Sequence, residues 1–121
     1  MADQMLFIGW SDAARGREER ALEVFNDGVG LYGRMQQDGR IEKFDVCLLS
    51  PNGSDLGGCF QLHGTGDQIA GVQNDTEFQR HMTEATLCVE GMRIINGYVN
   101  EGVAGQMDMY RQAIEKTPQT A

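Results

Sequence analysis

Apolar residues recur along the chain with two periods, and the switches between them set the expected elements. Residues 5–10 form a short apolar run with aromatics, bounded by polar positions, which predicts a buried strand. A loop of small and polar residues, 11–16, follows and ends on Gly16. From Arg17 the period lengthens. Leu22, Phe25, Val29 and Tyr32, with Ala21, Val24, Gly28, Leu31 and Met35 beside them, make one broad apolar stripe of an amphipathic helix. Glu19, Glu23, Asn26, Arg34 and Asp38 fall on its opposite side, and Gly39 stands where a helix end calls for positive φ. Gly28, Gly30 and Gly33 each cost about 1 kcal/mol relative to alanine inside a helix. Close approach of a sheet or a partner helix to that face would offset the cost.

Residues 41–49 alternate as a strand does, with Phe44, Val46 and Leu48 on one face and Asp45, Cys47 and Leu49 on the other. The turn-rich segment 50–55 contains Asn52-Gly53, a hairpin signal. The chain returns as a second strand at 58–64, with Phe60 and Leu62 on one face and Cys59, Gln61 and His63 on the other. A turn centred near Gly53 sets Cys47 opposite Cys59 and brings Asp45 close to Gln61 and His63. A short helix is expected at 67–74, with Ile69 and Val72 inward. A longer helix follows, capped by Thr76 with Gln79 and carrying Phe78, Met82, Ala85 and Val89 as its apolar row, until Gly91 breaks it. Residues 92–99 are rich in β-formers and read as a fourth strand, although adjacent Ile94 and Ile95 leave its parity open. A last amphipathic helix, about 100–116, has its stripe at Val103, Met107, Tyr110 and Ile114, and 117–121 read as a frayed tail.

This order is the split βαβ pattern with an added C-terminal helix. It predicts an α+β, ferredoxin-like fold: a four-stranded antiparallel sheet with both main helices on one face and the other face bare. On the segments Met5-Leu6-Phe7-Ile8-Gly9-Trp10 through Gly39, and Glu77-Phe78-Gln79-Arg80 leading to the last strand, the chain resembles the dimeric α/β-barrel superfamily. In that superfamily two ferredoxin-like subunits close their sheets face to face. It includes small cofactor-free monooxygenases, haem-dependent enzymes and many uncharacterised stress-associated proteins. The resemblance covers nearly the whole chain and rests on element order, so it implies a homodimer from an uncharacterised branch. It carries over no catalytic residue.

Composition narrows the function classes. At 121 residues the chain fits one domain. Its net charge of −8 argues against general affinity for nucleic-acid phosphates or anionic lipid. Arg15, Arg17 and Arg20 cluster, but Glu18 and Glu19 are interleaved with them, which suits a solvated helix entrance better than an anion site. No apolar run reaches membrane-spanning length and no signal-peptide pattern precedes the first strand. Three cysteines without CxxC spacing point to reduced thiols in the cytoplasm.

Candidate chemistry is sparse. On the bare face, His63 is a candidate general base with Asp45 orienting it and Gln61 beside them; the plainer alternative is a polar group at a wet sheet edge or within a dimer interface. Trp10, Asn96 and Tyr98 are candidates for lining a ligand cavity between sheet and helices, against the alternative of ordinary core aromatics and a strand-end turn. His63 and His81 lie on different elements without zinc-ligand spacing, so neither a metal nor any other cofactor is expected. Gly64-Thr65-Gly66-Asp67 lacks the full phosphate-loop pattern. Two functions remain: a homodimeric protein that binds a small ligand or a partner, and a small cofactor-independent, monooxygenase-like enzyme acting on an apolar or aromatic metabolite.

Overall fold

A computed structural model describes residues 2–118 and 120. Of the tail expected at 117–121, Gln119 and Ala121 lie outside the described residues. The elements are β1 (Gln4–Trp10), α1 (Glu18–Gln37), β2 (Lys43–Leu48), β3 (Gly58–Gly64), α2 (Gly66–Asn74), α3 (Thr76–Cys88), β4 (Arg93–Tyr98) and α4 (Glu101–Glu115). The four strands form one sheet in the order β2-β3-β1-β4, with antiparallel neighbours throughout. This is the ferredoxin-like arrangement expected from the sequence. The sheet is open, with β2 and β4 as its edges.

Register decides which side chains meet. Leu6 pairs with Leu62 and Asn96, and Ile8 pairs with Phe60 and Ile94, so these six share one face. On that face Leu6, Ile8, Phe60 and Leu62 join Leu31, Tyr32 and Met35 of α1, Ile69 and Val72 of α2, and Phe78 and Met82 of α3 in one buried core. Each such side chain contributes roughly 1.5–3 kcal/mol by leaving water. Ile94 therefore faces the helices, and its neighbour Ile95, paired with Phe7, faces away. On the outer face the Phe7 ring folds back over Gly9, where a β-carbon would stand 2.6 Å from its Cε1.

The helix ends follow local chemistry. Gly39, at φ +75°, follows the end of α1 as expected. The cap of α3 sits one place before the position expected from the sequence. Asp75, not Thr76, caps α3 by accepting the Phe78 N–H, because a carboxylate one residue earlier reaches that donor first. The capping box belongs to α2 instead: Thr65 accepts from Gln68 N–H while Gln68 Oε1 accepts from Thr65 N–H. Exposed pairs Arg20–Glu84 and Arg34–Glu77, each at 2.7 Å, bridge α1 and α3. Pairs of this kind contribute about 0–1 kcal/mol. Helix α4 has no buried side chain; Val103, Met107, Tyr110 and Ile114 of its stripe are all exposed.

Candidate functional site

Between the sheet and the paired helices α1 and α3 lies an open cleft of about 270 Å³. Its floor is Ile8, Trp10 and Phe60 from the sheet; Ala21, Val24 and Phe25 of α1 form one wall, and His81, Met82 and Ala85 of α3 the other. The rings of Trp10, Phe25 and Phe60 form a triangle with centroids 6.0, 5.6 and 5.4 Å apart, the last pair stacked. Leu22 and Leu48 stand at the cleft 62% and 70% exposed, although Leu22 belongs to the apolar stripe of α1. Apolar side chains this open beside a cleft are available to a ligand. Glu18 is the one carboxylate among the lining residues.

His81 is the polar group inside. It falls on the buried row of α3 with Phe78, Met82, Ala85 and Cys88, and only 8% of it is exposed. Its Nε2 lies 2.8 Å from the Val24 carbonyl oxygen of α1. A carbonyl can only accept, so Nε2 carries the hydrogen and donates. In the neutral ring Nδ1 is then a lone-pair acceptor, and it has no protein hydrogen-bond partner. The Tyr32 ring meets the imidazole edge-on at 6.0 Å. Burial raises the Tyr32 phenol far above its ordinary range, and its hydroxyl is likewise unpartnered. The arrangement offers one directional acceptor, or one base, in apolar surroundings.

The residues singled out from sequence divide between the two faces. Trp10 lines the cleft. Asn96 and Tyr98 share the helix-facing side of β4 but are not among the cleft residues. Asn96 and Gln73 of α2 exchange amide hydrogen bonds at 3.1 and 2.9 Å, and Tyr98 is exposed. Asp45, Gln61 and His63 come together on the outer face, as the hairpin reading expected. His63 Nε2 lies 3.3 Å from Asp45 Oδ2 without hydrogen-bond geometry, and Lys43 Nζ shares the same oxygen at 3.6 Å. The sequence alone offers His81 only as a candidate metal or cofactor ligand and does not mark it as part of a cleft. The available signal was a histidine on the apolar row of one helix with a glycine inside the facing helix.

No protein-family model and no curated protein sequence matches the chain. Solved structures do. A dimeric ferredoxin-like protein of unknown function from Jannaschia sp. CCS1 aligns with TM-score 0.63 at 12% identity, over 79% of this chain and 98% of its own. A hydroxynitrile lyase from Passiflora edulis aligns with TM-score 0.63 at 11% identity, over 84% and 97%. The cofactor-independent oxygenase SnoaB from Streptomyces nogalater aligns with TM-score 0.50 at 16% identity, over 82% and 93%. At these identities the likeness is one of fold. The chain thus shares its ferredoxin-like fold with proteins that include a dimeric protein of unknown function, a lyase and an oxygenase.

Proposed function

We propose that this protein binds a small apolar, ring-bearing molecule in the cleft and works as a homodimer. The observation that carries the reading is a buried histidine, His81, with its Nδ1 unpartnered, among the lining residues of a largely apolar cleft. An unpaired buried acceptor costs about 1–3 kcal/mol. A ligand that supplies one O–H or N–H donor relieves that cost while its rings cover Trp10, Phe25 and Phe60. The cleft volume of about 270 Å³ lies close to the lower end of small-molecule sites, roughly 300–1,000 Å³, which suits a one- or two-ring compound. Pairing is supported by the outer sheet face, where Ile95 is 52% exposed beside Phe7, by the exposed stripe of α4, and by the dimeric neighbours in the fold comparison.

The test is equilibrium dialysis with 2-naphthol against the wild type and Ala21→Phe, which fills the cleft from the α1 wall. Wild type binds, and the filled variant, folded by circular dichroism, loses at least tenfold in affinity. Equal binding by the two places the ligand elsewhere and ends the reading.

A second reading is catalytic and rests on the tautomer. With Nε2–H committed to Val24, Nδ1 keeps the lone pair of the neutral ring and is the nitrogen that would serve as general base toward an acidic C–H or O–H of a bound ligand. Exchange of the α-hydrogens of 2-tetralone for deuterium, faster with wild type than with His81→Ala, supports it. Equal exchange rates would leave binding alone.

A further inference from the structure

Cys47 of the edge strand β2 pairs directly with Cys59 of β3, and both side chains stand on the outer face of the sheet. Their Sγ atoms are 2.9 Å apart. A disulfide needs about 2.05 Å between sulfurs, so closure requires side-chain rotation and no slip of register. The third cysteine is set apart. Cys88 is buried at the end of α3, where its Sγ donates to the Glu84 carbonyl oxygen, in a cluster with Ala21, Val24 and Ala85.

We propose that Cys47 and Cys59 form a thiol pair that is oxidised to an intrachain disulfide by low-molecular-weight disulfides. Cys47 is the half-buried member and Cys59 the buried one. Burial and the neighbouring sulfur push the Cys59 thiol up to about 11, and Cys47, the more exposed sulfur, is the one an incoming disulfide reaches first. The Cys47 thiolate displaces one thiolate from oxidised glutathione and forms a mixed disulfide. Cys59 then loses its proton, attacks the Cys47 sulfur and expels the second glutathione. Two protein thiols and one glutathione disulfide give one protein disulfide and two glutathione thiols.

The bond would lie back to back with the cleft. Leu48, next to Cys47, is among the cleft residues, and Gly58, next to Cys59, lies under the Trp10 ring, where a β-carbon would come within 2.7 Å of Cζ2. Oxidation therefore pins the two strand ends beneath Trp10 and closes off the loop between them. On the outer face Cys59 pairs with Gly9 of β1, over which the Phe7 ring folds, so the thiol pair borders Phe7.

The sequence makes the test direct. No lysine or arginine lies between Lys43 and Arg80, so trypsin leaves both cysteines in one peptide, 44–80, with Cys88 in another. Wild-type protein is treated with oxidised glutathione, denatured, labelled with N-ethylmaleimide and digested. The expected result is a fall from three labels to one, with peptide 44–80 lighter by two hydrogens, Cys88 still labelled, and three labels restored by dithiothreitol. Cys47→Ser should show no such loss of hydrogens. Three labels after treatment, an adduct that stops at glutathione, or a bond to Cys88 or to a second chain would each overturn the proposal.

Discussion

Gly28 and His81 are fitted to each other across the α1–α3 packing: a β-carbon on Gly28 would stand 2.9 Å from His81 Cε1 and 3.2 Å from Nε2. The glycine lets the imidazole reach the Val24 carbonyl, and that bond leaves Nδ1 as the free nitrogen. Gly28→Ala would gain about 1 kcal/mol in helix propensity and lose about 1–3 kcal/mol by overpacking. The expected outcome is a small net loss of stability in urea unfolding, with a disproportionate loss of 2-naphthol affinity. Gly33→Ala, where a β-carbon meets nothing within 4 Å, should gain stability and leave affinity unchanged.

Buried phenol and thiol groups give stability a defined alkaline limit. Burial holds Tyr32 protonated well above its ordinary 10.0, and Cys59 is pushed from 9.0 up to about 11. Both groups keep their protons in the folded chain after the unfolded chain has lost them. Their contributions are therefore complete below about pH 9 and fall as pH rises, Cys59 first and Tyr32 above pH 10. Each group adds a slope of up to about 1.4 kcal/mol per pH unit in its window. Unfolding in urea at pH 8, 10 and 11 under reducing conditions checks this. Tyr32→Phe should be as stable as wild type at pH 8, because the lost hydroxyl had no partner, and should lose less stability between pH 10 and 11. An unchanged alkaline slope would show that the phenol ionises as readily folded as unfolded.

If two copies meet through the outer face of the sheet, Ile95 is the side chain to change, because it is exposed in the single chain and a polar group there costs little folding energy. Ile95→Lys should raise the dimer dissociation constant at least tenfold in sedimentation equilibrium and leave the circular dichroism spectrum intact. A monomeric wild type, or a variant that pairs as tightly, would remove that face from the interface.

Much of this architecture was legible in the sequence because it rests on local periods. The alternation of Phe44, Val46 and Leu48 against Asp45 and Cys47, with a turn centred near Gly53, was enough to set Cys47 opposite Cys59 and Asp45 beside His63. The parity of β4 was not legible, because Ile94 and Ile95 are equally apolar and pairing with Ile8 and Phe7 decides which faces the helices. Trp10 could be placed at the cleft from its strand. Asn96 could not be separated from it, since its partner Gln73 lies on a different element. His81 was hidden for a related reason: the group that fixes its tautomer is a backbone carbonyl 57 residues away, and no side-chain pattern marks a carbonyl. The stripe of α4 was legible as a pattern, but a stripe does not name what it packs on.

The most direct test of the central claim compares 2-naphthol with naphthalene, two ligands of similar shape of which only the first carries a hydrogen-bond donor. Equilibrium dialysis against wild type and His81→Phe gives four affinities. A hydrogen bond to Nδ1 is worth about 1 kcal/mol or somewhat more, so wild type should prefer 2-naphthol roughly five- to tenfold, and His81→Phe should bind the two alike. Equal affinity for both ligands in wild type, or a preference that survives in His81→Phe, would contradict the assignment of His81 as the polar anchor of the cleft.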